Sequence, residues 1–119
     1  MLVFNRQSGQ LISYKNNLSD PKSIGSNYII KLFTDHSGRV WVGTYGGGLN
    51  RYDNISQCFI RYLNSPDNPN SVSENKVYGL TDDAEGNLWV GTFSGGINKL
   101  DLKSNQFIHY RNNELDPAF

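Results

Sequence analysis

Apolar residues in this chain come in short runs, each closed by Gly, Asn, Asp or Ser. Val77-Tyr78-Gly79-Leu80-Thr81 reads as a strand, and Asp83-Ala84-Glu85-Gly86 as the turn after it. An Asp side chain bonds backbone amides two residues on, and Gly accepts a positive φ. Leu88 to Phe93 is a second strand and Ser94-Gly95-Gly96 a tight hairpin. Ile97 to Asp101 is a third strand. Lys103-Ser104-Asn105 turns the chain into Phe107-Ile108-His109-Tyr110, the fourth. In the second strand Leu88 and Trp89 point to opposite sides, so both faces are apolar. A sheet with one wet face would alternate apolar and polar; this one should be covered on both sides. No 3.6-residue periodicity appears, which argues against a helical or leucine-rich solenoid.

The pattern then repeats. Leu32 to Thr44 returns as Leu80 to Thr92, an offset of 48 (80 − 32), and the register runs without a gap to Tyr62 against Tyr110. About half of the paired positions are identical. Earlier still, Phe4, Leu11 and Tyr14 align with Tyr52, Phe59 and Tyr62, and Ser23, Ile24 and Asn27 with Ser71, Val72 and Asn75. A fixed period in this range marks one structural unit used several times. Four-stranded antiparallel sheets covered on both faces by copies of themselves are the blades of a β-propeller. The predicted fold is therefore all-β: about two and a half blades of an incomplete propeller. Residues 1–15 would end one blade, 28–63 and 76–111 would each form a blade, and 16–27 and 64–75 would be inter-blade linkers. A propeller closes with about four to eight blades. Two and a half leave an apolar face uncovered at each end, so a piece of a longer protein is expected ahead of a ring of several copies or a marginally stable, sticky chain.

Composition narrows the function. The 119 residues carry 11 Lys and Arg against 11 Asp and Glu, a formal net charge of zero. The basic residues are scattered, so no field favours nucleic acid or an anionic membrane. Cys58 is the single cysteine, which excludes an intrachain disulfide. No window approaches ~20 apolar residues, so neither a membrane-spanning helix nor direct membrane insertion is expected. Met1 to Arg6 does not read as a signal peptide.

The repeat also carries a signature. D-x-x-G-x-x-W-V-G-T occurs at Asp35, Gly38, Trp41 and Gly43 and again at Asp83, Gly86, Trp89 and Gly91. Gly-Gly-(Leu/Ile)-Asn, a basic residue and an Asp follow in both units. These residues, with the linker Asp67 to Asn75, resemble the two-component regulator propeller repeat. The resemblance implies part of the periplasmic sensor region of a hybrid two-component histidine kinase of the Bacteroidetes, held at the inner membrane. It implies carbohydrate sensing, with an oligosaccharide as ligand, and signal transduction through a phosphorelay. The implied partners are that ligand and further blades or copies of the chain. No cofactor is implied.

Catalytic and metal chemistry find little support in the residues. Asp35–Gly38 and Asp83–Gly86 supply too few oxygens for a calcium loop. His36 and His109 occupy different repeat positions, so no metal site follows. Gly46-Gly47-Gly48 lacks the Lys-Ser/Thr and the helix of a phosphate loop. Trp41 and Trp89 could stack on sugars, but a ring that recurs in each unit is better explained by packing between blades. An enzyme of the glycosidase or lyase kind, the alternative reading, needs convergent acids or an arginine cluster. Of Arg6, Arg39, Arg51, Arg61 and Arg111, Arg51 aligns with Lys99 and Arg61 with His109, as if they decorated outer strands. No catalytic residue is assigned. The predicted ligand-binding residues are Tyr45 and Phe93 beside the glycine turns, with Asn27 and Asn75 at the linker ends. An aromatic ring stacks on sugar C–H groups and an amide bonds hydroxyls. The competing role for the two asparagines is to tie down the linkers.

Overall fold

The computed structural model describes residues 1–4 and 8–110. Arg6 and Arg111 lie outside the described residues. β1 (Leu2–Phe4) and β2 (Leu11–Ser13) form a two-stranded antiparallel sheet. β3 (Ile29–Thr34), β4 (Val40–Thr44), β5 (Leu49–Asp53) and β6 (Cys58–Tyr62) form a four-stranded antiparallel sheet in chain order. β7 (Val77–Asp82), β8 (Asn87–Thr92), β9 (Ile97–Asp101) and β10 (Gln106–Tyr110) repeat it. The fold is all-β, an incomplete propeller.

The 48-residue offset holds in the ladder itself. Trp41 pairs with Arg51 as Trp89 pairs with Lys99. Even the irregularity recurs: the first ladder shifts register at Ile29/Lys31 in one sheet and at Val77/Gly79 in the other. Phe93, expected at the end of a strand, falls just outside β8 and starts the hairpin loop.

Each linker plugs the side of its blade with one aliphatic residue. Ile24 is buried with Val42 and Phe59, packed on by Tyr14, Ile29 and Tyr52. Val72, aligned with Ile24, joins Val90, Phe107, Leu88 and Leu100 in a larger core that takes in Trp41 and Leu49 of the preceding sheet. The two blades therefore meet face to face, and β4 is covered on both sides. Burial at ~25 cal/mol per Å² makes this seam the main stabilising contact between the sheets.

Trp41 and Trp89 keep one register but do not share one environment, against the expectation of equivalent packing sites. Trp41 is 1% exposed under the second blade. Trp89 is half-buried, flanked by Tyr110 and by Lys99 Nζ 5.8 Å from its ring centre. The physical reason is that the outer face of β7–β10 meets no further sheet among the described residues.

Candidate functional site

The Asp–Gly turn is built around its carboxylate. Asp35 Oδ1 accepts from the backbone N–H groups of Ser37 and Arg39, each at 2.9 Å. Asp35 Oδ2 accepts from Arg39 Nε at 2.8 Å and from Trp41 Nε1 at 2.9 Å. In the second blade Asp83 Oδ1 accepts from the Glu85 and Asn87 amides, and Oδ2 from Asn87 Nδ2 and Trp89 Nε1. The hydrogen bond from Trp89 and those from the turn hold the Asp83 carboxyl down at about 2. For Asp35, burial pushes the carboxyl up, but the bonds from Trp41 and Arg39 outweigh it and the net shift is downward. With its oxygens taken by protein donors, neither Asp is available to a cation. Gly38 (φ 85°) and Gly86 (φ 88°) close these turns in the left-handed region. Their open surroundings show that conformation, not space, requires glycine there.

At the opposite end of β4 and β8 lie the hairpin loops. Thr44 and Thr92 fold them by donating from both N–H and Oγ1 to the carbonyls of Gly48 and Gly96. The loops are stitched to the linkers: Tyr45 N–H donates to the Tyr28 carbonyl, Gly48 N–H to that of Asn75, and Phe93 N–H to that of Lys76. Tyr45 and Phe93 come together, ring centres 5.4 Å apart and edge to face. Two rings absent from the expected site join them. Tyr28 lies 5.4 Å from Tyr45, and Tyr78 lies 5.7 Å from Phe93. Tyr28, Tyr45, Phe93 and Tyr78 are 67%, 42%, 52% and 52% exposed, so the row crosses the blade boundary on the surface. Lys76 Nζ stands 5.0 Å over the Tyr45 ring. Tyr28 and Tyr78 are 50 residues apart (78 − 28) rather than 48, so the repeat alignment did not mark them as a pair.

Asn27 and Asn75 are at the linker ends. Each gives its side-chain oxygen to the start of its linker: Asn27 Oδ1 accepts from Asn16 N–H at 2.6 Å and Asn75 Oδ1 from Asn64 N–H at 2.7 Å. That is the linker-tying role, and it occupies one of the two polar atoms of each amide. Asn16 and Asn64 then reach back with Nδ2 to the carbonyls of Ile24 and Val72.

Two further asparagines carry more of the structure than sequence reasoning assigned to them. Asn50 and Asn98 are fully buried. Asn50 Oδ1 accepts from Gly25 N–H and Nδ2 donates to the Gly47 carbonyl. Asn98 bonds Ser73 through both its oxygen and its nitrogen. A buried amide must be paired; Asn50 joins linker to hairpin directly, and Asn98 does so through Ser73, whose Oγ donates to the Gly95 carbonyl. Arg61 and His109, expected as outer-strand decoration, also hold linkers. Arg61 donates to the Ser23 and Asp20 carbonyls, and His109 Nε2 contacts the Ser71 carbonyl.

His36 and Asp82 pair across the seam at the far end from the aromatic row, Nδ1 to Oδ2 at 2.6 Å. Among the described residues no three His, Cys, Asp or Glu side chains come together as metal ligands. No helix among them is long and apolar enough to cross a membrane.

Residues 23–46 and 71–94 both match the family model of the two component regulator propeller. Each match runs from the linker plug through the Asp–Trp turn to the hairpin. The two units are two component regulator propeller repeats. These repeats fold like solved extracellular domains of Bacteroides thetaiotaomicron hybrid two component systems. With that of BT3049 the chain shares 27% identity over 99% of its length at a TM-score of 0.83. With that of BT4673 it shares 28% identity over 80% of its length at a TM-score of 0.63. The chain spans 19% and 12% of the lengths of those two structures. No curated protein matches the chain.

Proposed function

We propose that these regulator propeller repeats are part of an extracytoplasmic sensor of a hybrid two component system, in the periplasm. The sensor binds an oligosaccharide and signals to a histidine kinase. The observation that carries the binding surface is the row of exposed rings Tyr28, Tyr45, Phe93 and Tyr78. Rings left in water on a rigid scaffold are suited to the C–H faces of sugars. The free polar tips of the three tyrosines and the amide nitrogens of Asn27 and Asn75 would bond hydroxyls along the same edge. The similarity to extracellular domains of hybrid two component systems supports the sensing role. An enzymatic role has less to work with. Asp35, Asp53, Asp82, Asp83 and Asp101 are all engaged in holding backbone amides, and each is held below the usual carboxylate range. A general acid needs its pKa raised instead.

Calorimetric titration with a panel of plant and host oligosaccharides tests the proposal. Binding without turnover is expected, and Tyr45→Ala or Phe93→Ala should abolish it while leaving the circular dichroism unchanged, because both rings are on the surface. Turnover that disappears on replacing one carboxylate, or binding indifferent to both substitutions, would overturn it.

A further inference from the structure

A cleft of about 320 Å³ opens at the turn end of the first blade, away from the aromatic row. Arg39 and Arg51 both line it, with Ser37, Gly38, Asp53 and Asn54 around them. The pairing of Trp41 with Arg51 and of Val40 with Tyr52 puts Arg39 opposite Asp53. Arg51 is then diagonal to Arg39 on one face, a spacing of roughly 7–8 Å between backbones that long side chains bridge.

The two guanidinium groups are not spent. Arg39 gives Nε to Asp35, and its side chain, 32% exposed, makes no other side-chain hydrogen bond among the described residues. Arg51 Nε is buried and has no hydrogen-bond partner among the described residues. A buried donor without an acceptor costs about 1–3 kcal/mol, so natural proteins rarely leave one. Asp53 is the one carboxylate in the lining, and its oxygens already accept from Ile55 N–H and Ser56 Oγ. The lining thus holds two cations and one anion, with the Asp35 carboxylate paired to Arg39 beside it.

We propose that Arg39 and Arg51 form a binding site for an oxyanionic group, a carboxylate or sulfate presented by a ligand. A planar guanidinium fork matches such groups bidentately, and two of them line this one cleft. The repeat supplies an internal contrast. The second blade has Asn87 and Lys99 at the equivalent positions, and there Asn87 Nδ2 turns inward to Asp83 while Lys99 sits over the Trp89 ring. The arginine pair is therefore a property of one blade, not of the repeat. It lies apart from Tyr45 and Phe93 and stands or falls independently of sugar stacking on those rings.

The same contrast furnishes the test. Sodium sulfate and sodium glucuronate, with glucose as the uncharged control, are titrated into the 119-residue chain at constant ionic strength. The Trp41 indole signal, whose N–H shares the Asp35 Oδ2 acceptor with Arg39 Nε, is followed by NMR. Saturable shifts with sulfate or glucuronate, and none with glucose, are expected. Arg39→Asn combined with Arg51→Lys gives the first blade the residues with which the second already folds. It should weaken binding by roughly tenfold or more with an unchanged thermal midpoint. Sulfate binding alone would identify a sulfate-ester site, and glucuronate alone a carboxylate site. Absence of saturation with both anions, an equal response to glucose, or unaltered affinity in a folded double variant would overturn the proposal.

Discussion

Each repeat turns on one aspartate. Asp83 accepts four hydrogen bonds in its ionised form, and its carboxyl lies at about 2 with the Trp89 indole as the leading cause. A carboxyl depressed below its unfolded value adds stability that is complete above about pH 4 and is lost as pH falls through about 2. Asp35 shifts in the same direction. His36 works in the opposite sense: Asp82 raises it, so its contribution is present at low pH and lost as pH rises through its folded value. The chain should therefore unfold at lower urea concentration at pH 3 than at pH 7, and Asp83→Asn should flatten that dependence. Equal acid sensitivity in the variant and the parent would mean that the Asp–Trp turn does not set the pH response.

At the level of elements, the hairpin of the first blade is held to the linker before it through backbone approach as much as through side chains. A Cβ on Gly47 would lie 2.3 Å from the Gly25 carbonyl carbon, and one on Gly25 would lie 2.4 Å from the Gly47 carbonyl oxygen. Hairpin and linker backbones are in direct contact there, with Asn50 bonding both. Gly47→Ala should cost about 1–3 kcal/mol, as overpacking does. Gly79, at the β7 register shift, would place a Cβ in open space. Gly79→Ala should change the unfolding midpoint little. Chemical denaturation of the two variants side by side checks the pair. Much of this was legible in the sequence: the Gly-Gly turns, the Asp turns and the strands all follow from local pattern. The roles of Asn50 and Asn98 were not, because an asparagine in an alternating strand gives no sign that its amide meets a linker 25 residues earlier.

Across the whole molecule, the seam between blades makes two equivalent tryptophans unequal. Trp41→Ala should cost about 3–5 kcal/mol, since it empties a fully enclosed site. Trp89→Ala should cost roughly half as much, because its ring is half in water. Equilibrium unfolding of the 119-residue chain checks the ratio. Equal losses would mean that the outer face of β7–β10 is covered in solution. Self-association seen by sedimentation would then identify a second copy as the cover.

The 48-residue period, the strand order, the turns and the paired Asp–Gly–Trp signature were determined by the sequence alone. They arise from contacts within a few residues, where alternation, glycine and aspartate act directly. Which faces became covered, which of two identical tryptophans was buried, and which arginine lost its partner were decided by the tertiary structure. Those outcomes depend on how one sheet stacks on the next. The aromatic row belongs to the same class: each blade supplies one pair of rings, Tyr28 with Tyr45 and Tyr78 with Phe93, and the two pairs meet through Tyr45 and Phe93 only when the blades dock.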